Sequence, residues 1–214
     1  MRTPLRLVAA LGTAALLITV GTTTVTADTQ KKVATWEAAQ KLTGSDGSLW
    51  KPTVTAGLPL KGKITVVDGT QDDGSRAMAV QARYAKGARS VTVLENYKGT
   101  FSALDAEPNI ATALVGKPKI SVGSPDMRYT VRATVTANCY NVKPGPDGSV
   151  PAPPDGFRCS QQDVAKFGGT LTVTMKPGST MTAPGTTFVT IQVSPGVTYN
   201  QLISMVQGLV QIGP

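Results

Sequence analysis

The strongest constraint on the fold of this chain is a strict alternation of apolar and polar residues between Met127 and Cys139. Odd-numbered positions carry apolar or small side chains, and even-numbered positions carry arginine, threonine or asparagine. Successive side chains of a β-strand point to opposite faces, so this period of two predicts a strand with one buried and one solvated face. Strands of this one-sided kind are typical of antiparallel sheets.

The same period recurs in shorter segments on both sides of this strand. Turns that contain glycine or proline separate the segments, and the short link 85–88 contains Gly87, which predicts a hairpin. The additional predicted strands cover residues 61–67, 77–84, 90–97, 119–122, 170–175 and 188–193. About seven or eight short strands divided by turns predict a mainly β protein with an antiparallel β-sandwich fold.

Three short helical inserts are predicted beside the strands. An N-terminal helix is expected over residues 33–42, where apolar residues follow helical spacing. A middle helix is expected over residues 105–116, with a glycine at its end. A C-terminal helix is expected after Thr198, because Thr198 and Gln201 form a capping-box pattern.

The first residues have the composition of a secretory signal peptide. Arg2 and Arg6 precede the uncharged, apolar segment 7–20, and small residues follow up to Ala27. This order predicts cleavage after Ala27, which leaves a single β-sandwich domain over residues 28–214. The apolar run is shorter than the roughly 20 residues that span a bilayer. We therefore expect a secreted, extracellular protein with no membrane span in its mature form.

Cys139 and Cys159 are the two cysteines of the chain. In an oxidising compartment they are expected to form one disulfide, which closes the loop 139–159. The interior of this loop is rich in proline and glycine, which excludes a regular strand or helix there. The loop is either a plain covalent constraint or a preorganised binding loop, and the sequence leaves both open.

The composition excludes several classes of chemistry. The chain contains no histidine, which removes Ser-His-Asp, Cys-His and His-ligated metal mechanisms. Aromatic residues make up 5%, too few for a platform that stacks nucleic-acid bases. We therefore predict no catalytic residue, no cofactor, no metal site and no nucleic-acid partner. A carboxylate-dependent extracellular hydrolase that uses Glu95, Asp105 and Glu107 is the enzymatic alternative.

Basic residues are concentrated in the middle of the chain. Residues 76–143 carry ten basic and four acidic side chains. Arg128 and Arg132 fall on the polar face of the long predicted strand, and Arg83 joins them if its strand pairs nearby. The guanidinium group suits phosphate and carboxylate, so these three residues are candidate anion-binding residues. The expected partner is an anionic cell-wall polymer or an acidic protein; a solvated surface is the simpler explanation.

These observations favour a secreted, non-catalytic envelope or extracellular binding or accessory protein. A purely structural domain of a secreted assembly is a further alternative beside the hydrolase. Trp36 fits the apolar side of its predicted helix, whereas Trp50 lies just before Lys51 and Pro52. Trp50 is therefore the candidate for an exposed ring that contacts a ligand. Ligand identity and oligomeric state have no signal in the sequence.

Overall fold

The computed structural model describes residues 18–20, 23–43, 49–71, 74, 76–98, 113–123, 128–139, 146, 157–175 and 187–212. The described residues form a mainly β protein with three short helices. The strands are β1 Ile18–Val20, β2 Thr23–Val33, β3 Leu49–Pro52, β4 Ile64–Gln71, β5 Arg76–Lys86, β6 Arg89–Lys98, β7 Ala113–Gly116, β8 Lys119–Val122, β9 Tyr129–Ala137, β10 Gly169–Met175, β11 Thr187–Val193 and β12 Leu209–Ile212. The helices are α1 Trp36–Thr43, α2 Gln161–Phe167 and α3 Tyr199–Gln207.

Two antiparallel sheets give the predicted sandwich-like fold. The larger sheet has ten strands in the order β1-β2-β4-β5-β6-β11-β10-β9-β7, and β8 also pairs with β9. β7 and β8 share one edge of β9, because β7 pairs near its end and β8 pairs near its start. The smaller sheet consists of β3 and β12. The mainly β, antiparallel fold class predicted from the alternation is therefore confirmed.

The core lies between one face of the larger sheet and a layer formed by the helices and the smaller sheet. α1 packs on β4, α3 packs on β8, and α2 packs on β9 and β10. Strand β3 lies over β6. The largest completely buried apolar side chains come from both layers and include Leu49, Trp50, Ile64, Ile120, Leu171, Ile191, Leu202 and Met205.

All seven strands predicted from the period of two are present. The strand expected over 119–122 is β8, and the strand expected over 127–139 is β9 with slightly shorter ends. Along β9 the odd-numbered residues Ala133, Val135 and Ala137 are buried, whereas the even-numbered arginine and threonines lie outside. The period of two thus reports which face of this strand meets the core.

Two of the three predicted helices lie where the sequence places them, and the C-terminal end of the third prediction is wrong. α1 matches the predicted N-terminal helix, and α3 begins with the predicted capping box, in which Thr198 Oγ1 accepts from the Gln201 N–H at 3.2 Å. Of the predicted helix 105–116, residues 105–112 lie outside the described residues. Residues 113–116 form β7, so the helix does not extend to Gly116 as predicted. They adopt extended backbone because they pair with the free edge of β9.

The middle helix of the structure is α2, which the sequence analysis did not predict. Asp163 accepts a hydrogen bond from the backbone N–H of Ser160 at 2.7 Å, which caps the first turn. Gly168 ends the helix at a φ of 85°, a conformation that favours glycine. A Cβ at Gly168 would lie 2.6 Å from the carbonyl oxygen of Val193, so the chain turns here in close contact with β11.

The disulfide between Cys139 and Cys159 is confirmed. Their Cα atoms are 5.7 Å apart, within the usual range for a disulfide. The bond links the end of β9 to the residues just before α2, and both cysteines belong to the hydrophobic core. Most of the loop that it closes lies outside the described residues.

The segment around the predicted cleavage position forms part of the larger sheet. β2 pairs with β4 in antiparallel register from Val25 to Val33, and the register shifts between Ala27 and Thr29. The backbone that contains the predicted cleavage position is therefore in a paired strand. None of the helices in the described ranges is long and apolar enough to cross a lipid bilayer.

Candidate anion-binding face

Three basic residues lie along the paired strands β8 and β9. Arg132 lies on β9, and Lys119 on β8 is its direct cross-strand partner. Arg128 immediately precedes β9, four residues before Arg132. All three side chains are exposed. We refer to Lys119, Arg128 and Arg132 together as the basic edge.

Among the described residues, the charges of the basic edge have no acidic partner. The two ion pairs of the described side chains, Lys51–Glu37 and Arg76–Asp68, involve none of its residues. Strands β8, β9, β10 and β11 contain no aspartate or glutamate at all. Like charges directly opposite each other in a strand pair are destabilising. The pair Lys119 and Arg132 therefore has an electrostatic cost that an anion would relieve.

Arg83 is exposed but lies apart from the basic edge. It is on β5, and β6, β11 and β10 lie between β5 and β9. At about 4.8 Å per strand, these strands separate β5 from β9 by roughly 19 Å. Arg83 would join the other two arginines only if its strand were paired close to β9. The strand order shows that it is not. Of the three candidates, only Arg128 and Arg132 belong to the same segment of the chain, at and just before β9.

Glu95, the carboxylate of the enzymatic alternative, lies inside the core. Its side chain on β6 has no exposure, and its two oxygens lie 2.9 and 3.1 Å from the backbone N–H of Trp50, which donates to them. Burial raises the pKa of Glu95 well above its usual value, and the hydrogen bond from Trp50 opposes this only in part. Asp105 and Glu107 lie outside the described residues. In the described ranges, no three side chains of His, Cys, Asp or Glu come together as metal ligands.

The interpretation of Trp50 as an exposed ring is wrong. Trp50 is 1% exposed, because β3 and its partner β12 cover one face of the larger sheet. Its ring contacts that of Tyr129 edge to face at a centroid distance of 5.9 Å. Trp36 is also buried and donates a hydrogen bond from Nε1 to Tyr84 Oη at 2.8 Å. Both tryptophans therefore join the two layers of the core.

Among the described residues, the basic edge groups exposed cations that have no acidic partner. It presents one ammonium and two guanidinium groups to solvent, which are donors suited to carboxylate and phosphate oxygens. The sequence analysis names its two arginines but not Lys119, because the position of Lys119 opposite Arg132 depends on strand pairing. No protein-family model, no curated protein and no solved structure matches this chain.

Proposed function

We propose that the protein is exported and that its mature domain, residues 28–214, binds an anionic extracellular polymer at the basic edge without catalysing a reaction. The observation that supports this proposal most directly is the cross-strand pair of Lys119 and Arg132. Two like charges face each other there without an acidic neighbour on β8 to β11. The disulfide, which forms in oxidising compartments, is consistent with export.

The spacing of the charges favours a polymer over a small anion. Arg128 and Arg132 are four residues apart along an extended chain, which corresponds to roughly 13 Å. Lys119 is one strand away from Arg132, at about 5 Å. A single phosphate or carboxylate contacts the pair Lys119 and Arg132 but does not reach Arg128 at the same time. A chain of repeated anionic groups contacts all three.

We assign no catalytic step to the protein, because Glu95 is buried. A general acid or base has to come within hydrogen-bond reach of the substrate. Glu95 has no exposed surface, and its carboxyl group accepts a hydrogen bond from the backbone N–H of Trp50. This arrangement supports a structural role for the carboxyl group within the core.

Charge reversal at the basic edge is expected to weaken polymer binding strongly. The double variant Arg128→Glu plus Arg132→Glu should elute from an immobilised anionic polymer, such as polygalacturonate, at a much lower salt concentration than the unchanged protein. Exposed charges act through a field with a screening length of roughly 8 Å at physiological salt, so binding of the unchanged protein should also weaken steeply with salt.

The matched control is Arg83→Glu. Arg83 is exposed and carries the same charge, but three strands lie between its strand β5 and the strand β9 of the basic edge. We expect this variant to elute close to the unchanged protein. Equal retention of the double variant and the unchanged protein would show that the basic edge is only solvated surface, and would favour a purely structural role.

Export with removal of the first 27 residues is expected from the N-terminal sequence. Intact-mass and N-terminal peptide analysis of the secreted protein should find Asp28 as the first residue. A secreted protein that still contained residues 7–20 would contradict this expectation and indicate an uncleaved N-terminal anchor.

A further inference from the structure

A second polar surface continues directly from the basic edge. On β9 the residues after Arg132 with the same parity are Thr134 and Thr136. Their partners on β10 are Thr172 and Thr170, and Thr172 pairs in turn with Thr190 on β11. We call the threonines on this side of β9, β10 and β11 the hydroxyl face, with the members Thr134, Thr136, Thr170, Thr172 and Thr190.

The hydroxyl face is uncharged and partly accessible. Thr134 and Thr172 are exposed and Thr136 and Thr190 are partly exposed, whereas the hydroxyl oxygen of Thr170 is buried. Phe188, which has the same parity as Thr190 on β11, has 38% of its surface exposed beside Thr174. Strands β10 and β11 contain no charged residue. The surface therefore offers hydroxyl groups and one aromatic ring in a neutral setting next to a cationic one.

The dimensions of this surface follow from the geometry of the sheet. Thr134, Thr172 and Thr190 form a row across three strands, and neighbouring strands are about 4.8 Å apart. Thr136 and Thr170 form a second row, about 7 Å away along the strands. Arg132 lies at the same distance from Thr134 on the opposite side. A ligand that binds at Arg132 therefore extends onto the hydroxyl face without a change of direction.

We propose that the ligand is an acidic polysaccharide, with its anionic groups at the basic edge and its sugar hydroxyls hydrogen-bonded to the hydroxyl face. This proposal rests on the proposed function and adds the chemical class of the polymer. A threonine hydroxyl both donates and accepts, as a sugar hydroxyl does, so the two surfaces are complementary. The exposed ring of Phe188 offers an apolar surface for the C–H groups of a sugar ring. Neither poly-L-glutamate nor polyphosphate carries a hydroxyl group, so neither matches these threonines hydroxyl to hydroxyl.

Strand propensity alone provides a simpler reason for these threonines, because β-branched residues are favoured in strands. Valine has the same branching and nearly the same shape, and it lacks the hydroxyl. The triple variant Thr134→Val plus Thr172→Val plus Thr190→Val therefore removes the proposed hydrogen bonds and keeps the strand propensity. A thermal unfolding curve close to that of the unchanged protein shows that the triple variant is folded. If the triple variant is destabilised, the single variant Thr134→Val, at an exposed position, is used in its place.

The test compares two soluble polymers that both carry one carboxylate per repeat, polygalacturonate and poly-L-glutamate. In titration calorimetry, the valine variant should bind polygalacturonate about tenfold more weakly than the unchanged protein, or worse. Its affinity for poly-L-glutamate should stay within about twofold. An unchanged affinity for polygalacturonate, or an equal loss for both polymers, would overturn the assignment of a polysaccharide.

The charge variant separates this inference from the proposed function. Arg128→Glu plus Arg132→Glu should weaken binding of both polymers, because both depend on the basic edge. If it weakens both and the valine variant weakens neither, an anionic polymer binds but sugar hydroxyls play no part. If the charge variant weakens neither, the proposed function itself fails.

Discussion

The free energy of unfolding is expected to fall as the pH rises above about 4.3, the ordinary pKa of a glutamate, because of Glu95. In the folded protein this carboxyl group is completely buried, and its pKa is raised well above the ordinary value. In the unfolded chain it is solvated and titrates normally. Between the two pKa values the folded state retains a proton that the unfolded state has lost.

The sign of the effect follows from this difference in bound protons. Stability changes with pH in proportion to the number of protons bound by the unfolded state minus the number bound by the folded state. That difference is negative above the unfolded pKa, so the contribution of Glu95 is complete at low pH and declines as the pH rises through the folded pKa. Each unit by which the pKa is raised corresponds to about 1.4 kcal/mol of lost stability at high pH.

The variant Glu95→Gln isolates this contribution. Glutamine keeps the oxygen that accepts from the Trp50 N–H, and it does not ionise. We expect the variant to be more stable than the unchanged protein at pH 8 and close to it at pH 4, as measured by urea unfolding at a series of pH values. Glu37 and Asp163, whose pKa values are lowered, act in the opposite direction and only at acidic pH. Parallel pH profiles for the two proteins would contradict the expectation.

Removal of the disulfide is the second change with a large expected effect. The bond closes a loop with a sequence separation of 20, and loop-closure entropy for this length contributes roughly 3 kcal/mol to stability. The double variant Cys139→Ser plus Cys159→Ser should therefore lose about that free energy of unfolding, which urea titration can measure.

Two controls accompany this measurement. The unchanged protein, denatured without reductant, should show no free thiol in a thiol titration. After reduction, its unfolding midpoint should approach that of the double variant. A double variant as stable as the oxidised protein would indicate that the 139–159 loop is already constrained by other contacts.

The parts of the fold that the sequence predicts are those with a local signal. A period of two marks the strands whose one face meets the core, and the capping box of Thr198 and Gln201 marks the start of α3. β3 and β12 were not predicted, because each has four residues and their burial shows no clear alternation. The burial of Trp50 follows from the pairing of these two strands, which no local pattern reveals.

The basic edge was predictable only in part for the same reason. The parity of Arg128 and Arg132 is a local signal, and the structure places Arg132 on the outer side of β9 and Arg128 just before that strand. Their relation to Lys119 and to Arg83 depends on strand order, which links residues far apart in the chain. Sequence analysis also placed Glu95 near the end of a strand but gave no sign that β3 would cover it.

If the chain is exported and cut after Ala27, as we propose, the pairing of β2 with β4 sets the order of cleavage and folding. A peptidase has to take the backbone on both sides of the bond after Ala27 into its own groove, and in the folded chain this bond lies within a strand that is paired with β4 through Ala27 and Thr29. Removal of the leader then has to come before this part of the sheet assembles. A molecule that folds first would keep its leader as a strand, and the delay between translocation and folding would decide which of the two forms a cell releases.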